Sequence, residues 1–258
     1  MIKNFMALIL NMYRHEIENG ENMELDLSAV VKASNVLLAK NDMISNNLAN
    51  INTSGFKRDD IVFDVLEQGY EKDVPINQFT DYNQGDLKST GNLMDFAISG
   101  DGFFTLESEQ GQVYTRNGHF SISEEGIIED SSGSRLMGTS GPVEVLGQNG
   151  VPGEVRITEN GEVMVDGDIV NKILISDFQD KHQLEKIGNN LFKANEGATP
   201  EAIESTGIVQ GFLETSNINP VSEMVKLIDM HRQFEATQKV MRTFDQIAED
   251  AINEVGNI

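Results

Sequence analysis

Two stretches of this chain repeat an apolar residue every seven positions, one near each end. Near the N-terminus the series is Met23, Val30, Leu37, Ile44 and Ile51, with Leu27 and Leu48 at the companion position and Ser34 and Asn41 between them. Near the C-terminus Leu227, Phe234, Met241, Ala248 and Val255 form one series, and Met230, Thr237, Phe244, Ala251 and Ile258 the other. A seven-residue period keeps one seam of a helix turned toward a partner helix. Asn219-Pro220 predicts a helix start, because proline suits the first helical position. Val221, Met224, Val225 and Ile228 add a second apolar stripe, so the early part of this helix should touch more than one neighbour.

The middle of the chain, roughly 59–212, has a different texture. Glycines punctuate short β-type runs without the strand–helix alternation of a parallel α/β sheet. Tyr114 to Ile122 predicts a hairpin about Asn117-Gly118. Val155-Arg156-Ile157 and Val163-Met164-Val165 predict another about Asn160-Gly161. Residues 169–175 predict one further strand. The expected fold class is therefore α+β: N- and C-terminal helices forming a coiled-coil layer, with an inserted irregular all-β domain. The expected boundaries are 23–58, 59–212 and 213–258. A seam containing Met, Ala, Thr and Ser buries little area, so the helix pair should be marginal alone and should need neighbouring copies.

Between the first helix and the β region lies NNLANINTSGFK, residues 46–57. Its amides can donate and accept, which suits them to helix-end carbonyls and to bridges between helices. Gly55 allows a backbone conformation that other residues resist. Phe56 is expected to fill an apolar gap while Lys57 stays in water.

Charge and composition narrow the function. The 258 residues carry 42 acidic and 19 basic side chains, a net charge of −23. Such a surface repels phosphate backbones and anionic lipid, so nucleic-acid binding is not expected. There is no cysteine, which removes thiolate catalysis, disulfides and cysteine metal sites. No apolar run has the length to span a bilayer, and direct membrane insertion is not expected. MIKNFMALIL lacks the h-region and small-residue site of a cleaved signal peptide.

A search for chemistry finds none. His15, His119, His182 and His231 have no second histidine at metal-ligand spacing. Gly100-Asp101-Gly102 lacks the third glycine and the helix of a dinucleotide site, and reads as a turn between strands. Asp166-Gly167-Asp168 lacks the ligand spacing of an EF-hand. Ser140-Gly141 has no nucleophile-elbow context. The chain reads as no enzyme, with no catalytic, cofactor or metal residue.

Asn46-Asn47-Leu48-Ala49-Asn50 through Thr53, Gly55, Phe56 and Lys57 resemble the signature of the bacterial flagellar rod and hook proteins. STGNLMDFAISGDGFFTL (89–106) with YTRNGHFSI (114–122), and SNINPVSEMVKLIDMHRQFEATQKVMRTFDQ (216–246), resemble two further motifs of that family in the same order. Leu93 stands where the family more often has proline. The short stretch between Lys57 and Ser89 makes the chain most similar to a proximal-rod protein, with a distal-rod or hook-basal-body homologue as the alternative and a secreted wall-lytic enzyme the less favoured one. The resemblance implies a structural subunit of the basal-body rod in the periplasm. It implies export by the flagellar type III apparatus without a cleaved signal peptide, and partners that are other copies and other rod proteins. Assembly is expected to rest on Asn46, Asn47, Leu48, Ala49, Asn50, Thr53, Gly55, Phe56 and Lys57, and on the seam residues Leu227, Met230, Phe234, Met241 and Phe244. The family begins about two dozen residues before the double asparagine, so residues 1–22 read as an upstream extension preceding a start at Met23.

Overall fold

The structure is a computed structural model and describes residues 27–63, 76–147, 150–203 and 207–255. The expected extension 1–22 and the seam positions Met23 and Ile258 lie outside the described residues. The chain divides into two compact units, one drawn from residues 1–46, 61–77 and 221–258, the other from 47–60 and 78–220.

The first unit is built on two helices, α1 (Leu27–Ala49) and α2 (Pro220–Val255). Proline is the first residue of α2, where its missing N–H costs no intrahelical bond. On α1 the seven-residue series is buried: Val30 is 7%, Leu37 3% and Ile44 0% exposed. Leu37, Met43 and Ile44 cluster with Met230 of α2, and Ile61, Leu227 and Phe234 pack against them. The two helices thus share an apolar cluster made largely of the expected seam positions. Thr237 is buried in α2, and its Oγ1 donates to the Gln233 carbonyl at 3.0 Å, so the hydroxyl is satisfied within its own helix.

The second unit is almost wholly antiparallel β. Its central strand, Phe103–Ser108, pairs with Gly111–Thr115 on one side and with Arg135–Gly138 and Ile175–Asp177 on the other. Side chains alternate across a strand. Phe104 and Leu106 therefore enter the main core with Phe96, Ile128 and Val143, while Phe103 enters a second core with Tyr114, Phe178 and Phe192. A strand covered on both faces explains the unbroken apolar run Phe103-Phe104.

Two expectations about strands need correction. Tyr114 to Ile122 is strand, turn and strand, but not a hairpin. Gly111–Thr115 pairs with Phe103–Ser108 and Leu191–Ala194, whereas Phe120–Ile122 pairs with Ile128–Asp130. A two-residue primed turn needs positive φ at its first central residue, and in type I′ at both, and neither Asn117 nor Gly118 has it. Gly118 serves close approach instead: its carbonyl accepts from the Phe96 N–H at 2.9 Å, and a Cβ there would lie 1.5 Å from the Phe96 oxygen. The expected strand at 169–175 is also two strands, Asp168–Lys172 and Ile175–Asp177. Ile173 N–H turns to the Gly161 carbonyl and Leu174 N–H to the Met137 carbonyl, so the run changes partners midway. The expected hairpin about Asn160-Gly161 is present, pairing Val155 with Val165 and Ile157 with Val163. Its turn puts only Gly161 at positive φ, +80°.

Candidate assembly site

The segment that follows α1 is held by the β unit at four successive points. Asn47, fully buried, donates from Nδ2 to the Asp59 carbonyl at 2.8 Å and accepts the Asp59 N–H on Oδ1 at 3.0 Å. One side-chain amide thereby imitates a strand partner and satisfies two backbone groups. Gly55, at φ +69°, donates its N–H to the Glu214 carbonyl at 2.8 Å. A Cβ at this position would lie 2.3 Å from the Asn117 nitrogen, so both the dihedral and the space require glycine. Phe56 is buried beneath Lys186, whose Nζ stands 4.6 Å from the ring centroid. Arg58 N–H donates to Asn217 Oδ1 at 2.8 Å.

Lys57 is the largest departure from expectation. It is 1% exposed rather than solvated. Its Nζ donates to Glu214 Oε1 at 2.6 Å and to the Asn83 carbonyl at 2.7 Å. Glu214 Oε1 also accepts the Gly85 N–H at 3.0 Å, and Oε2 accepts from Arg116 Nη1 at 3.2 Å. One buried carboxylate thus pairs with two buried cations, one on each oxygen. Burial pushes the Lys57 ammonium and the Arg116 guanidinium below their ordinary values, and Glu214 holds both back toward the charged form. Burial also lowers Lys186, which is countered by Asp59 Oδ1 at 2.7 Å. Lys57 is buried because its pairing partner lies in a distant strand that no local pattern reveals.

The other candidate residues divide by exposure. Asn46 and Ala49 are exposed at the end of α1, and Leu48, Asn50 and Thr53 are half-buried. The Thr53 hydroxyl donates to Asn50 Oδ1 at 3.2 Å. On α2, Met230 is buried, and Leu227, Phe234 and Met241 are half-buried; Phe244 lies further along the helix. The second stripe lies open: Val221 is 68%, Met224 50%, Val225 53% and Ile228 52% exposed. Arg116, Glu214, Lys186, Asp59 and Asn217 were not singled out in the sequence. Glu214 offers no local signal beyond its place two residues before Ser216-Asn217.

Among the described residues no cluster of three or more His, Asp or Glu could hold a metal ion. No described helix is long and apolar enough to cross a membrane.

The chain is similar to known proteins over most of its length. Residues 31–57 match the profile "Flagella basal body rod protein", 97–165 "Flagellar hook protein FlgE/F/G D1 domain", and 209–254 "Flagellar basal body rod FlgEFG protein C-terminal". The flagellar basal-body rod protein FlgF of Mesorhizobium japonicum is 32% identical over 244 residues, covering 91% of this chain and 99% of the relative. This chain belongs to the flagellar basal-body rod protein family. The FlgF of Caulobacter vibrioides is 30% identical over 84% of this chain and 92% of its own length. The FlgG of Buchnera aphidicola from Baizongia pistaciae is 30% identical over 80% and 90%. The chain is a structural rod subunit of the basal body. The buried charge cluster takes one residue from each family segment: Lys57 from the first, Arg116 from the second and Glu214 from the third.

Proposed function

We propose that this rod protein is of the proximal type and assembles with copies of itself and with other rod proteins through its terminal helices, passing torque along a tube as shear across many contacts. The open stripe Val221, Met224, Val225 and Ile228 carries this reading. Four large apolar side chains at least half exposed on one helix face are costly to leave in water, and a neighbouring subunit would cover them. Leu227, Met230 and Phe234 turn the other face inward to α1, which leaves this stripe for an outside partner. In the tube, the helices would extend their shared cluster into a coiled coil. The signature residues 46–57 act from within: Asn47, Gly55, Phe56 and Lys57 fasten the segment to the β unit, and Asn46 and Ala49 contribute exposed surface. Proximal placement is favoured because FlgF relatives match 84–91% of the chain and FlgG relatives 80–83%. Export would use the flagellar type III apparatus, and the role is mechanical rather than enzymatic.

Ile228→Asp tests the reading. Phe234 packs in the intramolecular cluster, so Ile228 is the cleaner target. The variant should fold with an unchanged thermal transition, yet fail to enter purified basal bodies and leave cells non-motile. Normal motility with normal incorporation would overturn the proposal.

A further inference from the structure

We infer that Met224 is an oxidation site, at which a peroxide converts the thioether to the sulfoxide and weakens the contact between subunits without unfolding the chain. The chain has 11 methionines and no cysteine, so thioethers are its only sulfur. Seven of them lie among the described residues. Met43 and Met230 are 7% and 3% exposed inside the helix cluster. Met94, Met137, Met164 and Met241 are half-buried. Met224 alone of the seven is exposed, at 50%. An oxidant must reach the sulfur, so exposure ranks Met224 first.

Its place on α2 gives the oxidation a consequence. Val221 stands three residues before it and Ile228 four after, on one helix face, with Val225 adjoining. The cluster shared with α1 uses Leu227, Met230 and Phe234 instead. The step moves two electrons. The sulfur lone pair attacks one oxygen of hydrogen peroxide, the O–O bond breaks as the S–O bond forms, and the second oxygen leaves as water after taking the proton of the first. Sulfur is oxidised and the peroxide is reduced. A flexible apolar side chain becomes a polar one that accepts hydrogen bonds. In the single chain the new oxygen keeps its water, because the site is open. Beneath a neighbouring subunit it is desolvated, and the side chains of Val221, Val225 and Ile228 offer it no donor. This consequence rests on the helix-face reading above, whereas the order in which the methionines oxidise does not.

Hydrogen peroxide titration of the purified full chain tests this, followed by peptide mass spectrometry and by sedimentation. Met224 sulfoxide should form first, about tenfold or more ahead of Met43 and Met230. Its formation should weaken self-association about tenfold, leave the thermal transition unchanged, and be reversed by methionine sulfoxide reductases A and B. Met224→Leu, compared with its own untreated sample, should lose no association to the same dose. Should that variant not associate, the loss and its reversal on the natural chain decide. Oxidation at Met230 before Met224, unchanged association after full conversion of Met224, a lowered thermal transition, or an equal peroxide loss in Met224→Leu overturns the inference and leaves the helix-face reading standing. A natural chain that never self-associates before treatment overturns that reading and this inference with it, so the two failures are told apart.

Discussion

Lys57 and Glu214, 157 positions apart, meet at 2.6 Å with side chains 0% and 1% exposed. Arg116 closes on the same carboxylate at 3.2 Å. Paired charges of this kind add little net stability when complete, but removing the shared partner is costly, because uncompensated charge remains buried. Glu214→Gln should therefore cost about 3–5 kcal/mol in urea unfolding. Lys57→Met should cost clearly less, because it leaves one carboxylate facing one guanidinium. Equal losses in the two variants would contradict this account.

Gly55 and Gly91 separate backbone strain from crowding. Both have positive φ, +69° and +72°. A Cβ at Gly55 would meet Asn117 and Arg116 backbone atoms, whereas at Gly91 it would meet nothing within 4 Å. Gly91→Ala should cost about 1–2 kcal/mol, the left-handed penalty alone. Gly55→Ala should cost more and should also shift the backbone resonances of residues 116 and 117.

The two faces of α2 should respond differently to truncation. Met230 is 3% exposed inside the shared cluster, so Met230→Ala should lose about 2–5 kcal/mol. Ile228 is 52% exposed, so Ile228→Ala should stay within about 0.5 kcal/mol in the monomer. Thermal or urea unfolding of the isolated chain reads both.

Tyr82 makes stability depend on alkaline pH. Burial pushes its phenol up to about 12 from 10.0, with the neighbouring Asp59 charge adding to the shift and a hydrogen bond with Thr80 opposing it. Above pH 10 the unfolded chain releases this proton while the folded chain keeps it, so the contribution is present below pH 10 and is lost as pH rises toward 12. The loss is at most about 1.4 kcal/mol per pH unit within that window, and less because water screens the partly exposed phenol. The lowered lysines act in the opposite direction, so the measurement must be a difference. The stability of the natural chain relative to Tyr82→Phe should be flat up to pH 9.5 and should decline between pH 10 and 11.

Periodicity and turn chemistry made much of the architecture readable. The burial of Val30, Leu37 and Ile44, the opening of α2 at Pro220 and the hairpin closed at Gly161 all follow from local rules of spacing and dihedral preference. The left-handed conformation of Gly55 was legible for the same reason. Strand partnership was not, as Tyr114 to Ile122 shows: an Asn-Gly pair proposes a hairpin, but the neighbouring strands offered better pairing. Nor could the fate of Lys57 be read, since a lysine beside a glycine turn looks solvated until a carboxylate from residue 214 arrives. By itself the sequence determined the elements and the helix faces, because those depend on residues within a turn or two of one another. Only the tertiary structure decided which charges would be buried, because that cost is offset by partners brought together from three separate segments.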